Sequence, residues 1–185
     1  MEPTLTTSQR YHDADRPLAA LLDTLSPAQW GAPSPCEGWS AGDVVRHLIE
    51  TQRDFLAKHG VDLGDSPEID QGLAAAWRAH SSVVADRIAQ DTVVTTRFDG
   101  HFGPTTVGDT LERFYVFDMV VHRWDVARAV GGDDAFTDVE LDAIEAGIAG
   151  FGAALHMEGI CKAGVEAPAH ADRQTRVLAM LGRRS

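Results

Sequence analysis

Phe114-Tyr115-Val116-Phe117-Asp118-Met119-Val120-Val121-His122-Arg123-Trp124-Asp125-Val126 is the stretch that decides the fold. Its apolar residues surround most of the circumference of an α-helix, and a helix apolar nearly all round belongs at the centre of a bundle. Thr106 can cap this helix and Gly131-Gly132 can end it, which predicts a span of about Val107 to Val130. Asp118 and His122 interrupt the apolar run. At 3.6 residues per turn they point the same way, one turn above the other, with Leu111, Phe114 and Tyr115 preceding them on the stripe. A buried charge without a partner is costly, so these two side chains require partners from neighbouring helices.

Those neighbours are legible outward along the chain. A first helix is predicted from about Asp13 to Leu25, with Leu18, Leu21, Leu22 and Leu25 on one stripe. Ser26-Pro27-Ala28-Gln29 reads as a capped short turn, and Gly31 to Gly38 as an irregular connection. A second helix runs from Ser40 to about His59, its inner stripe reading Val44, His47 and Leu48, Thr51 and Phe55. Ser66-Pro67-Glu68 opens a third helix that reaches about Gln90, with Trp77 and Val84 on its inner face. Val93 to Phe98 is β-branched, and Asp99-Gly100 signals a hairpin turn, so one small hairpin closed by Gly103-Pro104 is expected. Thr137-Asp138-Val139-Glu140 is a capping box that starts a fifth helix to about His156. Glu158 to Ala171 reads as a flexible segment, and a short helix from Asp172 to Gly182 follows. The expected fold is all-α: an up-down four-helix bundle with a small β-hairpin before the fourth helix and extra C-terminal helices, forming one domain over residues 1–185.

Composition narrows the function. Of 185 residues, 44% are apolar and 24% charged, the balance of a globular protein with a real core. No apolar run approaches a membrane span, and Met1-Glu2-Pro3-Thr4 lacks the pattern of a secretory signal. Two cysteines, Cys36 and Cys161, form neither a disulfide framework nor a metal knuckle, which fits a reducing cytoplasm. Sixteen basic against 28 acidic residues give a net charge of -12, which argues against nucleic acid. Eight histidines in such a chain are a surplus that needs an account.

His47 lies on the inward face of the second helix, where it can meet Asp118 and His122. Two imidazoles and a carboxylate suit Zn, Ni or Fe(II) and leave coordination positions open. From spacing alone, a carboxylate–histidine hydrogen bond without metal is the simpler reading. His80, on the stripe of Trp77 and Val84, is the rival ligand, and His101 on the hairpin can reach a pocket mouth. The other histidines lie near element ends or in loops. Trp39 and Trp124 read as core or pocket wall. Asp125 reads as a partner for Arg123, Arg128 or a helix cap, and otherwise as an acceptor behind His122. Cys36 reads as packing, because no histidine pairs with it in the sequence. No Gly-x-Ser-x-Gly elbow and no phosphate-binding glycine loop is present.

Ser34-Pro35-Cys36-Glu37-Gly38-Trp39-Ser40 with Asp43-Val44-Val45-Arg46-His47-Leu48, and the run Asp118 to Ala129, resemble the two motifs of the DinB superfamily. The branch they resemble most holds the metal-binding N-terminal domain of mycothiol-dependent maleylpyruvate isomerase. Arg176 to Arg183 is similar to the tail of small actinobacterial relatives. The resemblance implies a four-helix bundle in which His47 and His122 are metal ligands and Asp118 takes the place of a third ligand that is often Glu or His. Asp is one methylene shorter than Glu, and only a short tail follows the fifth helix where the isomerase carries a further catalytic domain. Isomerase activity itself is therefore not carried over.

What the resemblance implies is a divalent metal, zinc before nickel or iron, with mycothiol as a thiol cosubstrate. The metal would activate the thiol for transfer or isomerisation, and Arg46, Arg123 or Arg128 could hold an acidic substrate. A hydrolase using metal-bound water and a non-catalytic metal- or ligand-binding stress protein are the alternatives. The partners expected are a small substrate or thiol and a second copy of the chain as homodimer, not nucleic acid or membrane.

Overall fold

In the computed structural model, which describes residues 5–69, 72–157 and 161–184, helix α6 (Phe117–Val130) is the central element. It packs against α1 (Thr7–Leu22), α2 (Ala41–Lys58) and α7 (Asp138–Phe151). Helix α3 (Leu73–Ile88) completes the bundle against α1 and α2, and α8 (Arg173–Met180) packs on α7. Met119 and Val126 of α6 join one apolar cluster with Leu18, Leu48, Leu56 and Trp77. Phe117, Val121 and Trp124 join a second with Ile144, Ile148, Leu178 and Leu181. The all-round apolar pattern of α6 thus serves two cores. No helix among the described residues is long and apolar enough to cross a membrane.

Several boundaries differ from the sequence reading, each for a local reason. Helix α1 starts at Thr7 rather than Asp13, because Thr6 and Gln9 form a reciprocal capping box. It ends at Leu22, short of Leu25. Helix α3 starts at Leu73 instead of Ser66, and Gly72, at φ 109°, itself stands outside helical space. Asp91–Val94 (α4) forms one helical turn in place of the expected strand start, and Thr95 and Thr96 donate their hydroxyls back to the carbonyls of Asp91 and Thr92. The hairpin is present, with β1 (Arg97–Gly100) antiparallel to β2 (Gly103–Thr106). Its register pairs Gly100 with Gly103, so His101-Phe102 form the turn and Asp99-Gly100 belong to the strand.

The fourth helix begins as expected, with Thr106 accepting from the Asp109 amide, and ends at Gly131 in the left-handed conformation. Its middle is different. Between α5 (Val107–Thr110) and α6, residues Leu111–Val116 widen into a π-helical turn. Its wider winding changes the angular phase, so that Leu111 is buried in the first core while Phe114 and Tyr115 are only half-buried.

Helix α7 carries the expected Thr137–Glu140 capping box and continues as a 3₁₀ segment, Gly152–His156. Of the stretch read as flexible, residues 158–160 lie outside the described residues. The rest is tied down by the Cys161 amide on Leu155 O and the Val165 amide on Ala179 O.

Candidate metal centre

Helix α2 is started by Ser40, whose hydroxyl accepts from the Asp43 amide while Asp43 Oδ2 accepts from the Ser40 amide. Seven residues into the helix, His47 faces the first turn of α6. His47 Nε2 and Asp118 Oδ2 are 3.5 Å apart. The His47 and His122 rings meet edge to face, with centroids 5.4 Å apart. One ligand-type atom from each of His47, Asp118 and His122 lies within 4.8 Å of the others. The three residues named from periodicity therefore do converge.

That arrangement suits a cation of the kind two imidazoles and a carboxylate hold. Two ligand atoms about 2.1 Å from a common centre at a tetrahedral angle stand roughly 3.4 Å apart. The His47–Asp118 separation is already close to this, and the widest needs only small side-chain rotations.

His122 is positioned from behind. Its Nδ1 lies 2.8 Å from Asp125 Oδ2, and Asp125 is fully buried. Asp125 also accepts from Arg183 Nε at 2.8 Å and Nη2 at 2.6 Å. Burial alone would raise the Asp125 pKa, but the Arg183 and His122 hydrogen bonds outweigh it and hold the carboxyl at about 2. Burial likewise opposes a charge on His122. The bonds to Asp125 and Cys36, with Asp118 nearby, overcome it and push the ring up to about 10. A carboxylate on Nδ1 makes that nitrogen the donor, so Nε2 is the nitrogen that a cation would bind, on release of the proton it carries in the metal-free imidazolium.

Asp125 is therefore not the partner of Arg123 or Arg128. Arg123 pairs with Glu140 at 2.8 Å, Arg128 with Asp134 at 3.2 Å, and Arg46 with Asp43 at 3.1 Å. None of these three arginines lines the cavity at the cluster. Arg183 does, and sequence reasoning missed it, because a contact across 58 positions leaves no periodic signal.

The rival ligand His80 is elsewhere. It is buried in the bundle, its Nε2 3.0 Å from Gln52 Oε1, which also accepts from the Tyr11 hydroxyl. His101 lines an adjoining groove of about 520 Å³, not the cluster's cavity. Cys36 is not simple packing: its thiol lies 3.5 Å from Asp125 Oδ2, and with His122 and Asp125 it forms a second convergent set. Both oxygens of Asp125 are already engaged by Arg183 and His122, which favours the His47–Asp118–His122 set.

The cluster opens into a cavity of about 770 Å³. Trp39 covers one side, its ring centroid 4.8 Å from that of His47, while Trp124 is fully buried core. Phe114 and Tyr115 from the π-turn, Phe117 and Phe151 form a wall. Burial, with Asp118 and Asp54 nearby, holds the Tyr115 hydroxyl at about 12, so it stays protonated. His156, Cys161, Lys162 and Arg183 bring the C-terminal segment to the rim, where burial pushes the Cys161 thiol up to about 11.

Bundle and cluster define a helical protein in which two histidines and a carboxylate converge at the lining of a cavity. The chain belongs to the family of the mycothiol maleylpyruvate isomerase N-terminal domain, whose model matches residues 11–127. That match includes His47, Asp118, His122 and Asp125, and ends before Phe151 and Arg183. Two uncharacterized proteins of Mycobacterium tuberculosis, from strains CDC 1551 / Oshkosh and H37Rv, are each 28% identical over 131 residues, covering 71% of this chain and 69% of the relative. No solved structure matches the chain.

Proposed function

We propose that the protein holds a divalent cation, zinc by preference, on His47, Asp118 and His122, and uses it to activate a low-molecular-weight thiol for transfer to, or isomerisation of, a small electrophile. The observation that carries this reading is the convergence of the three ligand-type atoms within 4.8 Å beside a cavity of about 770 Å³, room for more than a metal and its waters. A divalent cation held there by His47, Asp118 and His122 would supply Lewis acidity that favours thiolate over thiol at neutral pH.

The chain's own residues supply the rest. Asp125 holds the Nδ1 side of the His122 ring, which leaves Nε2 for a ligand role, and Arg183 fixes Asp125. Phe114, Phe117 and Phe151 keep one side of the cavity dry. Neither cysteine is needed as nucleophile, and Cys161 is held in its protonated form. Membership of the isomerase-domain family supports a mycothiol-type thiol. Two free cysteines support a reducing, cytoplasmic setting.

The metal-bound-water hydrolase is less well supported. Among the described residues, the nearby carboxylates of Asp125 and Glu37 are both ion-paired, so the one general-base candidate beyond the ligands is His156 at the rim, whose Nδ1 is engaged with Lys162 O. The test compares metal content of the purified chain with a His47→Ala, His122→Ala double variant, followed by thiol-dependent turnover of electrophilic substrates. Stoichiometric metal in the native chain alone, with turnover that requires both metal and thiol, is expected. Equal metal in both proteins would remove the site. Bound metal without any thiol dependence would leave hydrolysis or simple binding.

A further inference from the structure

The cavity beside the cluster continues past its own lining. A groove of about 520 Å³, lined by α2 and the hairpin, adjoins it, and Thr51 and Tyr115 line both spaces. The junction therefore carries two hydroxyls. Thr51 donates its one proton to His47 O, 2.8 Å away. Tyr115 makes no hydrogen bond to another described residue, whereas the chain's other tyrosine, Tyr11, donates to Gln52. A tyrosine hydroxyl partly withdrawn from water normally has a partner, so this one is a donor held open.

The backbone explains how it comes to stand there. Tyr115 belongs to the π-turn Leu111–Val116, whose wider winding leaves it half-buried instead of in the core. Its ring is held by Phe55, stacked at a centroid separation of 4.8 Å and an angle of 27°. Asp118 from the cavity and Asp54 from the groove both act on the hydroxyl, which puts that oxygen within electrostatic reach of the cluster and of the groove alike. The same two charges, with burial, keep it protonated throughout the neutral range.

From this placement we infer that Tyr115 is the hydrogen-bond donor for a carbonyl oxygen of the second substrate, which lies across the junction with its body toward the groove. The catalytic part of this role rests on the thiol-activating reading; the binding part does not. When a thiolate adds to a carbon conjugated with that carbonyl, a C–S bond forms and the C=C electron pair moves onto the oxygen. The Tyr115 O–H meets the charge as it arrives, and solvent supplies the proton that completes the addition.

The first test needs neither metal nor thiol. The full chain, with a chelator present, is titrated calorimetrically with 4-nitroacetophenone and with 4-nitroethylbenzene, which has the same ring and a methylene in place of the carbonyl. The ratio of the two affinities is expected to shift several-fold against the ketone in Tyr115→Phe, the loss of one hydrogen bond. An unchanged ratio would overturn the inference, as would a ketone that does not bind saturably to the native chain. The phenylalanine keeps the ring on Phe55, and a thermal melt establishes that the variant folds. The second test uses the metal-loaded chain with thiol. Tyr115→Phe is expected to lower kcat about 10²-fold for a conjugated ketone and less than about twofold for a benzylic chloride, whose displacement puts the charge on chloride. Equal loss on both substrates would assign the hydroxyl to the thiol and overturn the inference. No thiol-dependent turnover of either would retire the thiol-activating reading alone, because the affinity ratio in the chelated protein still decides whether Tyr115 receives a carbonyl.

Discussion

Asp125 illustrates how one side chain can serve stability and site geometry together. Its carboxylate is fully buried and accepts from His122 Nδ1 and from two nitrogens of Arg183. Asp125→Asn keeps the size and removes the charge, which leaves a buried guanidinium without its counter-ion. Breaking such a pair costs about 3–5 kcal/mol, read as a lower urea midpoint. The same change frees the His122 ring to rotate, so metal affinity should fall roughly 10- to 100-fold in a chelator-competition titration. A variant with unaltered metal affinity would show that Asp125 is purely structural. At this scale the sequence disclosed much: the i, i+4 spacing put Asp118 and His122 on one stripe, and the stripe of α2 delivered His47 to them. Arg183 was hidden because only tertiary packing brings it to Asp125.

Among the elements, α7 shows how a glycine can act as a seat. A Cβ placed on Gly147 would lie 2.6 and 2.7 Å from two ring carbons of Phe117, whereas one on Gly150 would meet nothing within 4 Å. Both glycines lie in the helix, where alanine is favoured by up to about 1 kcal/mol. Gly150→Ala should therefore stabilise slightly. Gly147→Ala should destabilise by roughly 1–2 kcal/mol despite the same propensity gain, because the Phe117 ring must be displaced from the cavity wall. Urea unfolding of the two variants side by side checks the opposite signs. The elements themselves were largely legible, since apolar periodicity and the Ser40, Thr106 and Thr137 caps mark real helices. The π-turn at Leu111–Val116 was not, because its apolar residues read equally well at regular helical spacing. The Thr6–Gln9 cap and the Gly72 start decided helix ends that periodicity alone misplaced.

For the molecule as a whole, acid stability should be governed in part by His80. Burial, helped by the charge of Arg53, lowers its pKa from 6.5 to about 4. Its neighbours across the bundle, Gln52 and Tyr11, offer no carboxylate. Between these two values the unfolded chain binds the proton and the folded chain does not, so stability is lost as pH falls below 6.5. The loss between pH 7 and pH 4.5 should be roughly 2–3 kcal/mol. Asp125 adds little in that window, since its folded pKa of about 2 and an unfolded value of about 3.9 both lie below it. Urea unfolding at the two pH values, compared with His80→Leu, isolates the effect. The variant should show a shallower dependence, and an identical slope would remove His80 as the cause.

The division of α6 between two cores has a consequence for the order in which the protein assembles as it is synthesised. The first core draws on α1, α2, α3 and α6, so it can close once Val130 has left the ribosome. His47, Asp118 and His122 meet at that stage. The second core and the Arg183 tie need residues made later. The three clustered side chains are therefore gathered before the rim that carries Lys162 and Arg183 arrives, so the cluster is more open in a nascent chain than in the finished protein, whose C-terminal segment lines the same cavity.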